Sequence, residues 1–342
     1  MFLLACQTYI SFSVSFASSK TAQVSVERKI DLRRLFATSR SEMEDSMGLQ
    51  YEVPEYKRLR VIVDTDAACE ADDPFAIAHA LMSKKLEVKA ILAEHFGVEG
   101  STKASYDEIV TVLEAMELSV PVYMGEEGAL AQVEGKEISP AAKFLMEEAL
   151  RVDEKPLYVL CLGAITNVAS AIQACPEIVS KMTVIWIGGQ NPDNFVVGHR
   201  EFNAGNDIDA INLVVSSGVE FWQIPNNVYG SMSIGLAEIQ DRIAPCGRIG
   251  RHLFENMVNY NMQPCAGWTD GESWALGDSP AVGVALKPNC GQYVYREAPI
   301  FNPDTSYRFE PGRPMIRVYT SIDSRYILED FISKLRLLYR ER

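Results

Sequence analysis

Leu59-Arg-Val-Ile-Val-Asp-Thr-Asp-Ala-Ala-Cys-Glu-Ala-Asp-Asp-Pro-Phe-Ala-Ile-Ala-His-Ala-Leu81 is the stretch that decides the reading of this chain. Its first five residues, Leu59 to Val63, form an apolar, β-branched run suited to a buried strand. A polar loop follows from Asp64 to Asp73. Pro74 then stands where its fixed φ suits the first turn of a helix, which Phe75 to Met82 continues. Four aspartates, Asp64, Asp66, Asp72 and Asp73, fall within ten residues at the strand end, with Glu70 among them. Like charges so crowded repel one another unless a cation compensates. Ligation by carboxylates alone selects a hard cation, Ca²⁺ or Mg²⁺, over zinc. A solvated loop that also caps the helix accounts for two acids; four at one strand end favour a metal.

Outward from this stretch the pattern repeats. Leu86 to Ala93 reads as a second buried strand, and Tyr106 to Glu117 has helical periodicity. Ala141 to Leu150 reads as helix, Leu157 to Leu162 as strand, and a further helix starts at Thr166-Asn167. Val184 to Ile187 is a strand ending in Gly188-Gly189, Asp207 to Ser217 a helix, and Val219 to Ile224 another strand. This alternation predicts an α/β fold: a mostly parallel central β-sheet flanked by helices, doubly wound. Ligands bind such sheets at the carboxyl ends of the strands. The loops after Val63, Leu162 and Ile187 are therefore expected to converge on one site.

The chain has 342 residues, 47% of them hydrophobic and 23% charged, enough for a large core. Its formal net charge of -14 repels phosphate backbones and argues against a nucleic-acid partner. Seven cysteines include no CxxC pair, so neither a zinc site nor a thioredoxin-like motif is indicated, and Cys161 falls in an apolar run. Residues 2–17 are mostly apolar but lack a preceding Lys or Arg and are interrupted by Gln7, Thr8, Ser11, Ser13 and Ser15. They make a weak signal peptide and are too short and polar to span a membrane. The alternation from Tyr9 to Phe16 reads equally well as a strand. A cytoplasmic protein is expected, with secretion left open by that segment. Residues 1–58 are expected to be an N-terminal extension, partly disordered, ahead of a catalytic domain over 59–342.

A strand followed by D-x-D occurs in several metal-using families. Haloacid-dehalogenase-type phosphatases usually carry Thr or Val two residues after the second aspartate, where this chain has Ala68. Sugar-nucleotide transferases share only the D-x-D. The strand and the later Asp72-Asp73 pair together resemble the nucleoside hydrolase family, whose fingerprint is DxDxxxDD; here the loop is two residues longer. Three further segments occur in the family's order: VLCLGAITNVASAI (159–172), IWIGGQNPDNFVVGHREFNAGNDIDAI (185–211) and ESWALGDSPAVGVAL (272–286). The resemblance spans about residues 59–330.

The resemblance implies Ca²⁺-dependent hydrolysis of the N-glycosidic bond of a ribonucleoside or other N-riboside. It assigns Asp66, Asp73, Asp278 and the Leu162 carbonyl to the metal, with Asp66 also the base that activates the metal-bound water. Asp72, Asn194, Glu201 and Asn203 are expected on the ribose, and Asp64 as support at the strand end. Asp278 reads alternatively as a helix N-cap ahead of Pro280, Thr166 or Asn167 as the N-cap of their helix, and Asp207 as a cap or a support. The chain departs from the family at Gly277, where well-known members have a His that protonates the leaving base, and at Gly97, where they have an Asn. His95, Trp274 and Glu94 are candidate replacements: His95 as an acid near neutral pH, Trp274 by stacking on the base. His199 is a possible substrate contact, and His79 and His252 are expected to be structural or superficial. Family resemblance implies a homodimer or homotetramer; the acidic charge and the lack of a spanning segment lead us to expect neither nucleic-acid nor membrane partners. A non-catalytic or altered-specificity relative that only binds a ribose ligand is the second reading, favoured by Gly277. A metal-dependent phosphatase is the third.

Overall fold

Residues 61 to 65 explain both the core and the site. Side chains alternate across a strand. Val61 and Val63 face one hydrophobic core, and Ile62 faces the other. Thr65 continues the first face and Asp64 the second. The structure, a computed structural model, describes residues 48–133, 135 and 137–340. Most of the N-terminal extension expected above, including the apolar stretch at 2–17 and the strand at Tyr9 to Phe16, lies outside the described residues. From Tyr51 onward the chain forms one compact unit.

In chain order the strands are β1 (Leu59–Thr65), β2 (Leu86–Ala93), β3 (Val122–Met124), β4 (Leu157–Cys161), β5 (Met182–Ile187), β6 (Glu220–Ile224), β7 (Ser233–Gly235), β8 (Ser273–Ala275), β9 (Gly291–Glu297), β10 (Ile300–Phe301), β11 (Tyr307–Arg308) and β12 (Met315–Ile322). The helices are α1 (Asp73–Leu81), α2 (Ser101–Met116), α3 (Leu130–Val133), α4 (Pro140–Leu150), α5 (Thr166–Ala174), α6 (Phe202–Asn206), α7 (Ile208–Ser216), α8 (Asn226–Tyr229), α9 (Leu236–Arg242), α10 (Gly247–Asn261), α11 (Ser279–Leu286) and α12 (Ser324–Tyr339).

Eight strands form one sheet in the order β3-β2-β1-β4-β5-β6-β12-β9. All its pairings are parallel except β12 with β9. The chain leaves β1 for β2 and β3 on one side, then crosses back to β4, β5 and β6 on the other. The switch point therefore lies between the carboxyl ends of β1 and β4, where a doubly wound sheet opens a crevice. Helices α1, α2, α9, α10, α11 and α12 pack on one face and α4, α5 and α7 on the other. The expected fold class and the strands and helices expected over residues 59–224 are present. The C-terminal pair β12 and α12 extends the sheet and covers α1: the Phe331 ring stands 5.7 Å from that of Phe75. No described helix is long and apolar enough to cross a membrane.

Candidate active site

Three strand ends meet at one pocket, as the sheet rule requires. Asp66, Cys69, Glu70, Asp72 and Asp73 reach it from the loop after β1, Leu162 from the end of β4 and Ile187 from β5. Glu201, Phe202 and Asn203 enter with α6, Tyr229 with α8, and Gly277 and Asp278 ahead of α11. Asp72 occupies the N-cap position of α1 and Asp278 that of α11, yet neither side chain caps its helix. Both carboxyls are turned to the pocket instead. One oxygen from each of Asp72, Asp73 and Asp278 lies within 4.8 Å of the others. The Thr65 hydroxyl donates to Asp73 Oδ1. Gly163 is required beside Asp66: a Cβ there would stand 2.8 Å from the Asp66 carboxyl.

The electrostatics are unbalanced. Asp66, Asp72, Asp73 and Asp278 are all buried, and no lysine, arginine or histidine among the described residues lines the pocket. Burial holds the Asp66, Asp72 and Asp278 carboxyls well above their ordinary range, and their acidic neighbours push them further. Burial likewise raises Asp73 to about 6, against the pull of the Thr65 hydroxyl. Glu70, half-buried, is raised to about 7 by burial and then by Asp73 and Glu201. A buried set of like charges with no cationic side chain is costly, and an external hard cation with oxygen ligands relieves it. The donor set thus fits a divalent metal.

The remaining walls are fixed by hydrogen bonds. Glu201 accepts from the Gly189 and Ala204 amides at 2.8 and 2.9 Å through Oε2, and from the Tyr229 hydroxyl at 3.0 Å through Oε1. Asn203 donates through Nδ2 to the carbonyls of Leu162 at 2.6 Å and Ile187 at 2.9 Å. A carbonyl has two lone pairs, so the Leu162 oxygen keeps one free. Behind the pocket Asp64 accepts from Asn167 Nδ2 at 2.8 Å. Asn167 also donates to the Ala93 carbonyl at 3.2 Å and accepts from the Glu126 amide at 2.9 Å. Asp64 thus supports the strand end without lining the pocket. Thr166 and Asn167 do not cap α5, whose N-cap is Ile165 in a left-handed conformation; their side chains reach across to neighbouring loops. Asp207 caps α7 through the Ala210 amide.

Several residues expected at the site stand elsewhere. His95 is buried at the end of β2; its Nε2 meets the Thr166 hydroxyl at 2.7 Å and its Nδ1 accepts from the Gly97 amide at 3.2 Å. Thr166 in turn donates to Asp207, so His95 is held neutral in a closed network, and burial lowers it to about 4. Trp274 is buried in β8 between Tyr260 and Trp268, with ring centroids at 5.4 and 5.2 Å. Its indole packs the core and presents no face to the pocket. Asn194 is exposed on the loop between β5 and α6 and does not line the pocket. Glu94 is fully buried, accepting from the amides of His95 and Asn167. His79 pairs with Asp330 and His252 with Glu108, both structural, and His199 is exposed. The pocket also uses Cys69, Glu70, Ile187, Phe202 and Tyr229, which were not expected as site residues. Adjacency to Glu201 and Asn203 was a signal for Phe202; Tyr229 arrives from α8 with none.

Comparison with known proteins agrees with this geometry. A sequence model of the family described as inosine-uridine preferring nucleoside hydrolase matches residues 61–321. The pyrimidine-specific ribonucleoside hydrolase RihA of Salmonella paratyphi A is 26% identical over 286 residues, covering 76% of this chain and 89% of that protein. A purine-preferring ribonucleoside hydrolase from Gardnerella vaginalis has a similar fold, with a TM-score of 0.66 at 19% identity over 81% of this chain and 98% of that one. A plant nucleoside hydrolase, PpNRh1, gives a TM-score of 0.65 at 19% identity and the same coverage. The chain, with its buried carboxylates at the switch point of a doubly wound sheet, belongs to the inosine-uridine preferring nucleoside hydrolase family and is an N-glycosyl hydrolase, a divergent member.

Proposed function

We propose that the chain splits a ribonucleoside into free base and ribose at this pocket, with Ca²⁺ as its cation. The observation that carries the reading is the set of four buried carboxylates at one strand crevice with no cationic side chain among the described residues to balance them. Asp66, Asp73, Asp278 and the Leu162 carbonyl hold the cation. When bound, the cation supplies positive charge that draws the ribose hydroxyls and acidifies a neighbouring water. Asp66 accepts the proton of the attacking water. Asp72 accepts hydrogen bonds from the ribose. Glu201 Oε1 accepts from Tyr229, and a carboxylate oxygen can accept a second hydrogen bond, here from a sugar hydroxyl, with Asn203 beside it. Asp64, held by Asn167, keeps the end of β1 in place.

The partner in this reading is a small N-riboside, without nucleic acid or membrane, and the working state is a cytoplasmic homodimer or homotetramer. The test incubates the chain with inosine and with uridine, with calcium and after chelation, and measures ribose and base. Calcium-dependent release of both is expected. Phosphate release from phosphate esters, or no ribose from any nucleoside, overturns it. Gly277, which offers the leaving base no proton donor, favours a second reading as a ribose-ligand-binding relative. Thermal stabilisation by nucleoside without turnover supports that one.

A further inference from the structure

A departing base takes the electron pair of the broken bond and needs a proton. The pocket holds few groups that could give one. Asp66, Asp72, Asp73 and Asp278 form the buried floor, taken up by cation and sugar in the reading above, on which this inference rests. Tyr229 already donates its hydroxyl proton to Glu201, and both oxygens of Glu201 are engaged. Asn203 is spent on two carbonyls. Gly277 has no side chain, and a Cβ there would already stand 3.2 Å from Asp72 Oδ2 and 3.3 Å from the Tyr229 ring. His95 lines a separate cavity, not this pocket, and both its ring nitrogens are hydrogen-bonded. What is left is the Cys69–Glu70 pair on the loop between β1 and α1. The Glu70 carboxyl forms none of the hydrogen bonds or ion pairs that tie down the other acids of the wall, and it is half-buried where they are buried. With the sugar on the buried floor, the base is left to the less buried part of the wall, and Glu70 is a half-buried residue of that wall.

We infer that Glu70 is the leaving-group acid of this enzyme. As the C1′–N bond breaks, its two electrons go to the base nitrogen and the Glu70 carboxyl proton passes to the base. Water delivers hydroxyl to C1′ and its other proton to Asp66. Nucleoside and water become ribose and neutral base; Glu70 is left as carboxylate and Asp66 as carboxylic acid, and proton exchange with solvent resets both.

The test compares uridine and inosine with p-nitrophenyl riboside, whose leaving group departs as a stable anion and needs no proton. In Glu70→Gln and Glu70→Ala, kcat/KM on the nucleosides should fall about 10²- to 10³-fold while the nitrophenyl riboside is cleaved within about 3-fold of wild type. Cys69→Ala tests the neighbouring thiol as the competing proton donor. Turnover of the nitrophenyl riboside also certifies that the variants are folded and loaded with calcium. An equal loss on both substrate types, or no loss on nucleosides, overturns the Glu70 role. So does a nucleoside-selective loss in Cys69→Ala with Glu70→Gln unaffected. A wild-type chain that cleaves the nitrophenyl riboside but no nucleoside overturns Glu70 and leaves the ribosyl site standing. A chain inert on both removes the hydrolase reading and this inference with it.

Discussion

At the scale of single residues, the site divides by chemistry. Asp66 is asked to hold the cation and to take a proton, so Asp66→Ala should reduce kcat by roughly 10³-fold or more in steady-state assays at saturating calcium. Asp278→Ala removes one proposed ligand and leaves the proposed base; its main effect should be weaker calcium binding, read by calorimetry, with activity partly recovered at high calcium. His95 makes a prediction of the opposite kind. Its folded value of about 4 lies below the ordinary 6.5. As pH falls through that interval the unfolded chain takes up a proton that the folded chain refuses, so stability is lost on acidification. The loss is on the order of 3 kcal/mol when complete. Urea denaturation at pH 7 and pH 4.5 should show a smaller acid loss in His95→Gln than in wild type. The aspartates were legible in the sequence because four acids crowded at one strand end repel one another and so call for a cation. The wall residues Tyr229 and Glu70 were not, since their role depends on which chain segments meet in space. Trp274 was misplaced for the same reason: its spacing from Gly277 says nothing about which way the indole turns.

At the scale of elements, β1 does two jobs through its alternation. Thr65 reaches forward to Asp73 at the start of α1, while Asp64 reaches back to Asn167 on α5. Asn167 ties β1, β2 and the loop after β3 together with three hydrogen bonds. Asn167→Ala should therefore cost roughly 2–4 kcal/mol of stability, because it strands buried polar partners, and should lower activity without touching substrate. Chemical denaturation monitored beside kcat checks both parts. The central strands were legible as continuous β-branched runs, the mark of parallel strands buried on both faces. The edge strand β9 was not: only three of its seven residues are even partly buried, so no apolar pattern marks it.

At the scale of the whole molecule, the proposed calcium site predicts a link between cation binding and folding. A cation that binds only the folded state stabilises it by about 2.7 kcal/mol at a hundredfold excess over Kd. Chelation should thus lower Tm by several degrees, and calcium should restore it; a Tm indifferent to calcium would falsify the carboxylate cluster as a cation site. The sheet was foreseen as doubly wound, and its order β3-β2-β1-β4-β5-β6 explains why residues 66, 162 and 187, far apart in the chain, meet. The switch point has a further consequence. The floor of the pocket is anchored at strand and helix ends, while half-buried Glu70 and exposed Phe202 form its rim. Anchored ends tolerate little change, and loops tolerate much. A lineage built on this plan can exchange one leaving group for another by altering its rim while the sugar chemistry stays put, a separation of what is inherited from what is free to vary.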